Sequence, residues 1–312
     1  MAFDRREFLN AALLQRAVFC MKKLVLSLLV CVGGALQCLA AEDHVEKAIS
    51  EVLGRVARLK AAQPNAVPMA FWDFDGTIIW GDVTLGSMRS KPYFDGLMKS
   101  AILAGLNNIY SGEEGWRKYF EDDRIRLREL AQWMAVPFRA QMYEGRTVAE
   151  METFASARFG SDLPKLYFVS SIRIMNALRT AGVENHVISG SPDVFVRCAA
   201  ESLGIPRDNI HGVRVAEKDG KLTTQLLYPL PVEMGKIDLM DSIVMARRQG
   251  IVIAGFGNDY RADGPFLKSI ATQTLPGGGR GFAMMINGRQ YDSTYDGLFM
   301  CVTQTELTSA TP

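Results

Sequence analysis

The stretch "MAFWDFDGTIIWGD", Met69–Asp82, decides the reading. It runs apolar from Met69 into two carboxylates spaced two apart, Asp73 and Asp75, followed by Gly76 and Thr77. A carboxylate at the end of a buried strand is costly to desolvate unless donors or a cation compensate it. The stretch therefore predicts a strand over Met69–Phe74 whose carboxyl end opens onto a polar site.

Upstream, Val45, Ile49, Val52, Val56 and Leu59 recur at three-to-four spacing and predict an amphipathic helix over Glu42–Ala62, ended by "QPNAVP". Downstream, Thr84–Pro164 has helical periodicity and no convincing strand. Its charged run Arg117–Leu130 reads as a solvated helix face. β-type runs then alternate with helices: "VISGS" (Val187–Ser191), a hairpin pattern around Asp219–Gly220, a helix from Lys236 stopped by Gly250, "IVIAGFGND", and "GFAMMING" as the last strand. Alternation of this kind predicts an α/β fold, a Rossmann-like three-layer core with a parallel sheet covered on both faces.

In such sheets ligands sit beyond the carboxyl ends of the strands. Four polar motifs fall there: "DFDGT" (Asp73–Thr77), "ISGS" (Ile188–Ser191), Lys236, and "GNDYRAD" (Gly257–Asp263). Strand-end carboxylates plus an acidic loop form an oxygen-rich site suited to a hard cation such as Mg²⁺. Serine, a glycine N–H and a lysine supply donors and charge for a phosphoryl group.

In order and spacing these motifs resemble the haloacid dehalogenase superfamily, in its phosphatase branch, over about Met69–Ala283. The resemblance implies that Asp73 is a nucleophile forming an aspartyl-phosphate and that Asp75 is the general acid and base. It implies phosphate contacts from Thr77, Ser189, Gly190 and Lys236, and a Mg²⁺ site drawn from Asp73, Asp75, Asn258, Asp259 and Asp263. Asn258 departs from the family pattern, which usually has Asp there. The departure leaves open which of the three loop residues binds metal, and leaves open a second reading, a non-catalytic exported binding protein on the same fold.

Over 100 residues separate Thr77 from Ser189, which places a helical cap after the first motif, as in the phosphoserine phosphatase branch. The expected division is a leader over 1–40, a core over 41–84 and 166–312, and a cap over 85–165. That branch implies that Asp82, nine positions after Asp73, holds a substrate ammonium; a helix N-cap is the alternative. The chain also resembles exported bacterial phosphorylcholine phosphatases, through its leader, the helix before "DFDGT", and "DGPFL" (Asp263–Leu267). Trp80, Tyr93, Tyr110, Trp116, Tyr119, Trp133 and Tyr143 could cage a quaternary ammonium or pack the helices. A carboxylate-bearing ester would need a cation, and Arg89, Arg117, Arg124 and Arg139 rank equally by sequence. The expected partner is a small phosphate ester.

Residues Met21–Ala40 have a secretory pattern: Lys22 and Lys23, an apolar run from Leu24, then a small-residue cut site after Ala40. "DRREFL" (Asp4–Leu9) offers a twin-arginine alternative, and both readings imply export. An uncleaved N-terminal anchor is the rival. The pI near 7.6 excludes the basic signature of a nucleic-acid protein. Beyond the leader only Cys198 and Cys301 remain, and they read as free thiols rather than a disulfide.

Overall fold

In the computed structural model, residues 44–87, 91–161 and 166–308 are described. The leader expected over 1–40 and Arg89 lie outside them. Two compact units divide the chain, Met1–Glu46 and Lys47–Pro312, and only residues 44–46 of the first are described.

Helix α1 (residues 47–62) buries Val52 and Leu59 of the predicted apolar stripe. After β1 (Val67–Trp72) comes a helical insert of α2 (Leu97–Leu103), α3 (Gly112–Glu129), the one-turn helices α4 (Gln132–Ala135) and α5 (Phe138–Gln141), and α6 (Val148–Ser161). The chain continues through α7 (Val169–Thr180), β2 (Glu184–Pro192), α8 (Asp193–Ala200) and β3 (Ile210–Val213). A hairpin of β4 (Val215–Lys218) and β5 (Lys221–Leu226) follows, then α9 (Gly235–Ala246), β6 (Gly250–Asp259), α10 (Gly264–Thr272), β7 (Phe282–Arg289) and β8 (Met300–Val302).

Six strands form one parallel sheet in the order β3-β2-β1-β6-β7-β8. Side chains alternate across a strand, so β1 sends Met69 and Phe71 to one face and Ala70 and Trp72 to the other, all four fully buried. Leu239 and Met240 of α9 and Phe266, Leu267 and Ile270 of α10 cover the first face. On the second, Trp72 stacks on Phe256 at 3.6 Å, and its indole N–H donates to Asn185 Oδ1 at 2.9 Å. From β1 the chain winds outward through β2 to β3, then returns to the far side of β1 as β6. This reversal opens a crevice at the carboxyl ends of β1 and β6.

Four boundaries differ from the sequence reading. β1 ends at Trp72, so both acids lie on the turn beyond it. The hairpin turn is where expected, with Asp219 and Gly220 at φ 53° and 73°. However, Ile210–Val213 pairs with β2 in the main sheet instead of forming a hairpin arm; Gly212 is held there by its N–H donating to Asp193 Oδ1 at 2.9 Å. Helix α9 stops at Ala246 rather than Gly250: Arg247 is extended and Gln249 takes the left-handed turn at φ 66°. A further strand, β8, follows "GFAMMING" and pairs with β7.

On α3, Trp116, Tyr119 and Asp123 form the buried stripe, and Arg117, Lys118, Glu121, Arg124 and Arg128 face solvent. Among the described residues no helix is long and apolar enough to cross a membrane. Cys198 and Cys301 are both free thiols.

Candidate active site

The Asp73 N–H donates to Phe256 O at 2.9 Å, extending the β1–β6 pairing by one residue. The chain then coils tightly, with the N–H groups of Thr77, Ile78 and Ile79 all directed at Phe74 O. Gly76 adopts φ +80°, and a Cβ on it would lie 1.9 Å from Asn258 Nδ2. Only glycine lets the loop after β1 touch the end of β6. Gly257 serves likewise: its Cβ would come within 2.6 Å of Asp263 Cβ.

Around Asp73 runs a chain of charge-assisted bonds. Lys236 Nζ donates to Asp73 Oδ1 at 2.7 Å and to Asp263 Oδ1 at 2.6 Å, while Thr77 Oγ1 donates to Asp73 Oδ2 at 2.8 Å. Asp263 Oδ2 accepts the backbone N–H of Asn258 and of Asp259, at 2.8 and 3.0 Å. Both Asp263 oxygens are thus engaged in holding Lys236 and the loop.

Asp75 sits in a separate nest of donors. Val83 N–H donates to Oδ1 at 2.7 Å, and the hydroxyls of Ser189 and Ser191 donate to Oδ2 at 2.9 and 2.7 Å. The two serines are two apart on β2 and so share a face. Thr84 Oγ1 supports the second, donating to Ser191 Oγ at 2.8 Å.

Electrostatics separate the two acids. Burial, with the charges of Asp82 and Asp73, pushes Asp75 up to about 8, against the pull of its Val83 and Ser191 bonds. Burial and Asp263 push Asp73 up only to about 6, because Lys236 and Thr77 favour its ionised form. Burial works against a charge on Lys236, but Asp263 and Asp73 outweigh it and raise the amine above its ordinary range. At neutral pH the pair is one carboxylate and one carboxylic acid, the division of labour expected of a nucleophile beside a general acid.

A cavity of about 150 Å³ opens over this arrangement. Asp73, Asp75, Lys236, Asn258, Asp259 and Asp263 all line it, as does Gly190. Thr77 and Ser189 are fully buried and hydrogen-bonded to Asp73 and Asp75. Asp82, Gln132, Val136 and Arg139 close the cavity from the side of the insert. Asp82 Oδ1 accepts the N–H groups of Thr84 and Leu85 at 2.7 and 2.9 Å, tying the turn that carries Val83 to Asp75. Asp82 therefore caps a loop turn rather than a helix.

Of the four candidate arginines, Arg139 lines the cavity, whereas Arg117 and Arg124 are exposed on α3. Arg139 is anchored by a buried bidentate pair with Asp123, at 3.2 and 2.9 Å. No aromatic side chain is among the described residues lining the cavity. Tyr110, Trp116, Tyr119 and Tyr143 are buried, with Trp116 stacked on Tyr119 at 5.6 Å.

Among the described residues no three His, Cys, Asp or Glu side chains converge as a metal site by themselves. The donors available to a cation in the cavity are hard oxygens of mixed kind: the Asp73 and Asp259 carboxylates and the Asn258 amide oxygen. Their chemistry, and the approach of Asn258 to the first loop that Gly76 permits, fit a hard divalent cation that keeps part of its water shell. Ser191 and Arg289 join the site without having been singled out as its members. Ser191 lay inside the quoted "ISGS" and could have been found from the period of two; Arg289 carried no local signal.

The haloacid dehalogenase-like hydrolase model matches residues 70–268. The chain belongs to this hydrolase family. A Bordetella pertussis Tohama I protein of unknown function has a similar fold, with TM-score 0.60 and 12% identity over 76% of this chain and 99% of that one. An Anaerococcus prevotii DSM 20548 protein, also of unknown function, follows at TM-score 0.53 and 14% identity over 81% and 88% of the two chains. A phosphoserine phosphatase solved as a phospho-aspartyl intermediate analogue gives TM-score 0.43 and 16% identity over 76% and 94%. No curated protein matches the chain.

Proposed function

We propose that the protein is an exported, Mg²⁺-dependent phosphomonoesterase that acts through an aspartyl-phosphate on small, amine-bearing esters such as phosphocholine, phosphoethanolamine or phosphoserine. The observation carrying this reading is the contrast between Asp73 and Asp75 within one cavity: an acid bonded to Lys236 beside an acid kept protonated near neutrality.

In this reading Asp73 attacks phosphorus as its carboxylate, with Oδ2 held by Thr77. The ester oxygen leaves as Asp75 gives it a proton. Asp75, now a carboxylate within reach of the Ser189 and Ser191 hydroxyls, takes a proton from water as that water hydrolyses the phosphoenzyme. Splitting the displacement into two lower steps is the benefit of the covalent route. Lys236 holds positive charge against the transferring group, and Asp263 fixes where that charge sits. Asp73, Asp259 and Asn258, with the Asp75 backbone carbonyl, would hold Mg²⁺, which supplies further neutralisation of phosphoryl oxygens.

Asp82 supports the amine preference, because it is an acidic residue in the wall of the cavity about the acids. Arg139 on the same wall supports esters that also carry a carboxylate. The lack of aromatic rings among the lining residues weighs against a cage for a quaternary ammonium, which leaves phosphocholine the least supported of the three. Export rests on the Met21–Ala40 pattern.

A panel of phosphate esters, assayed with and without Mg²⁺, tests the reading. Turnover should require Mg²⁺ and fall to background in Asp73→Asn. Retained turnover in pure Asp73→Asn protein would refute the nucleophile assignment.

A further inference from the structure

Arg289 ends β7 directly opposite Asp259, the last residue of β6. Its backbone is pinned there, its carbonyl accepting the Tyr260 N–H at 2.9 Å. The side chain reaches back over the cavity. Nη2 lies 3.5 Å from Asn258 Oδ1 and 3.7 Å from Asp259 Oδ2. These are two of the three side-chain oxygens offered to a cation in the Mg²⁺ reading, on which the present inference rests. A guanidinium cannot share that pair of oxygens with a divalent ion, since like charges a few ångströms apart repel strongly.

We propose that Arg289 is a tethered competitor for the divalent cation, a residue that sets how tightly the metal site binds. Three features converge on this role. The contacts are long, near the limit of a hydrogen bond, so the guanidinium covers the oxygens without locking them. The Arg289 side chain is 63% exposed, so it can swing to solvent when a cation arrives. Asn258 brings no charge, and Asp259 uses Oδ1 to accept the Arg261 and Ala262 N–H groups, which leaves its Oδ2 facing Arg289, while Asp263 is taken up by Lys236 and two backbone N–H groups. Arg289 therefore balances the Asp259 side of the site when no metal is present.

Titration calorimetry with Mg²⁺ and Mn²⁺ tests this in the full mature protein, without reference to turnover. Arg289→Gln should bind each ion about tenfold tighter than wild type, and Arg289→Lys should stay close to wild type because its charge remains. The gap should narrow as salt rises, because an exposed charge is screened. Equal affinity in wild type and Arg289→Gln, or weaker binding in the variant, would overturn the proposal while leaving the metal reading intact. Failure of all three proteins to bind either ion would overturn both. Arg289 is exposed, so loss of fold is not expected, and unchanged circular dichroism establishes that each protein titrated is native.

Discussion

Asp75 is a carboxylic acid that the protein keeps protonated where an ordinary aspartate would be ionised. Burial does most of this, and the neighbouring Asp82 and Asp73 charges add to it. Two consequences follow for pH. In the proposed mechanism Asp75 must be protonated for the first step, so kcat/KM on a generic aryl phosphate should fall on the alkaline side through about 8. Asp75→Asn should lose roughly 10²–10⁴-fold in rate on such a substrate and lose the alkaline limb with it. A wild-type profile flat through the alkaline range would contradict the assignment. Stability carries the opposite signature. A native pKa above the unfolded value stabilises fully at low pH, and that contribution is lost as pH rises through the native pKa. In the metal-free protein, thermal melts of Asp75→Asn and wild type should therefore differ least at acid pH. The variant should gain steadily towards about pH 8.

At the scale of elements, the loop between β1 and α2 joins the two halves of the site. Asp82 ties that loop through Thr84 and Leu85, and the same residue lines the cavity. If it holds the substrate amine, Asp82→Ala should lower specificity for phosphoserine or phosphoethanolamine by about 30-fold or more, in line with roughly 2–5 kcal/mol for a charge left unpaired. Hydrolysis of an uncharged aryl phosphate should lose far less, only what the loosened turn and the lower Asp75 pKa without the Asp82 charge cost. Equal losses on both substrates would assign Asp82 to the loop alone. The parts of the site that were legible in the sequence are those whose partners lie within one motif or at an adjacent strand end: Asp73 with Thr77, Asp75 two residues on, Lys236 at the start of α9. What was not legible depends on which elements face each other. Arg139 is set apart from three other arginines only because α5 packs it against Asp123 of α3. Arg289 reaches the site only through the β6–β7 register. Strand β8 has three residues, too few to show a period, and exists because the edge of β7 pairs with it.

For the whole molecule, the order β3-β2-β1-β6-β7-β8 is the reason four motifs spread over almost 200 residues meet at one crevice. The alternation of strand and helix foretold that architecture, because parallel strands buried on both faces read as short apolar runs between helices. Boundaries shifted where a turn residue other than glycine took the left-handed conformation, as Gln249 does after α9. The proposed export is tested on the whole chain as well: N-terminal sequencing of the mature protein from its own cells should begin at Ala41 or within a few residues of it. A cytosolic protein starting at Met1 would contradict the proposed leader.

The central claim is that Asp73 carries the phosphoryl group between substrate and water. Acid quenching during turnover, followed by peptide mass mapping, tests it most directly. The account predicts one added phosphoryl group on the peptide containing Asp73, localised to that residue and absent in Asp73→Asn. It should accumulate in Asp75→Asn supplied with an activated aryl phosphate, because hydrolysis of the intermediate then lacks its base. Steady turnover with no phosphorylated peptide, or with the group on any other residue, would contradict the account.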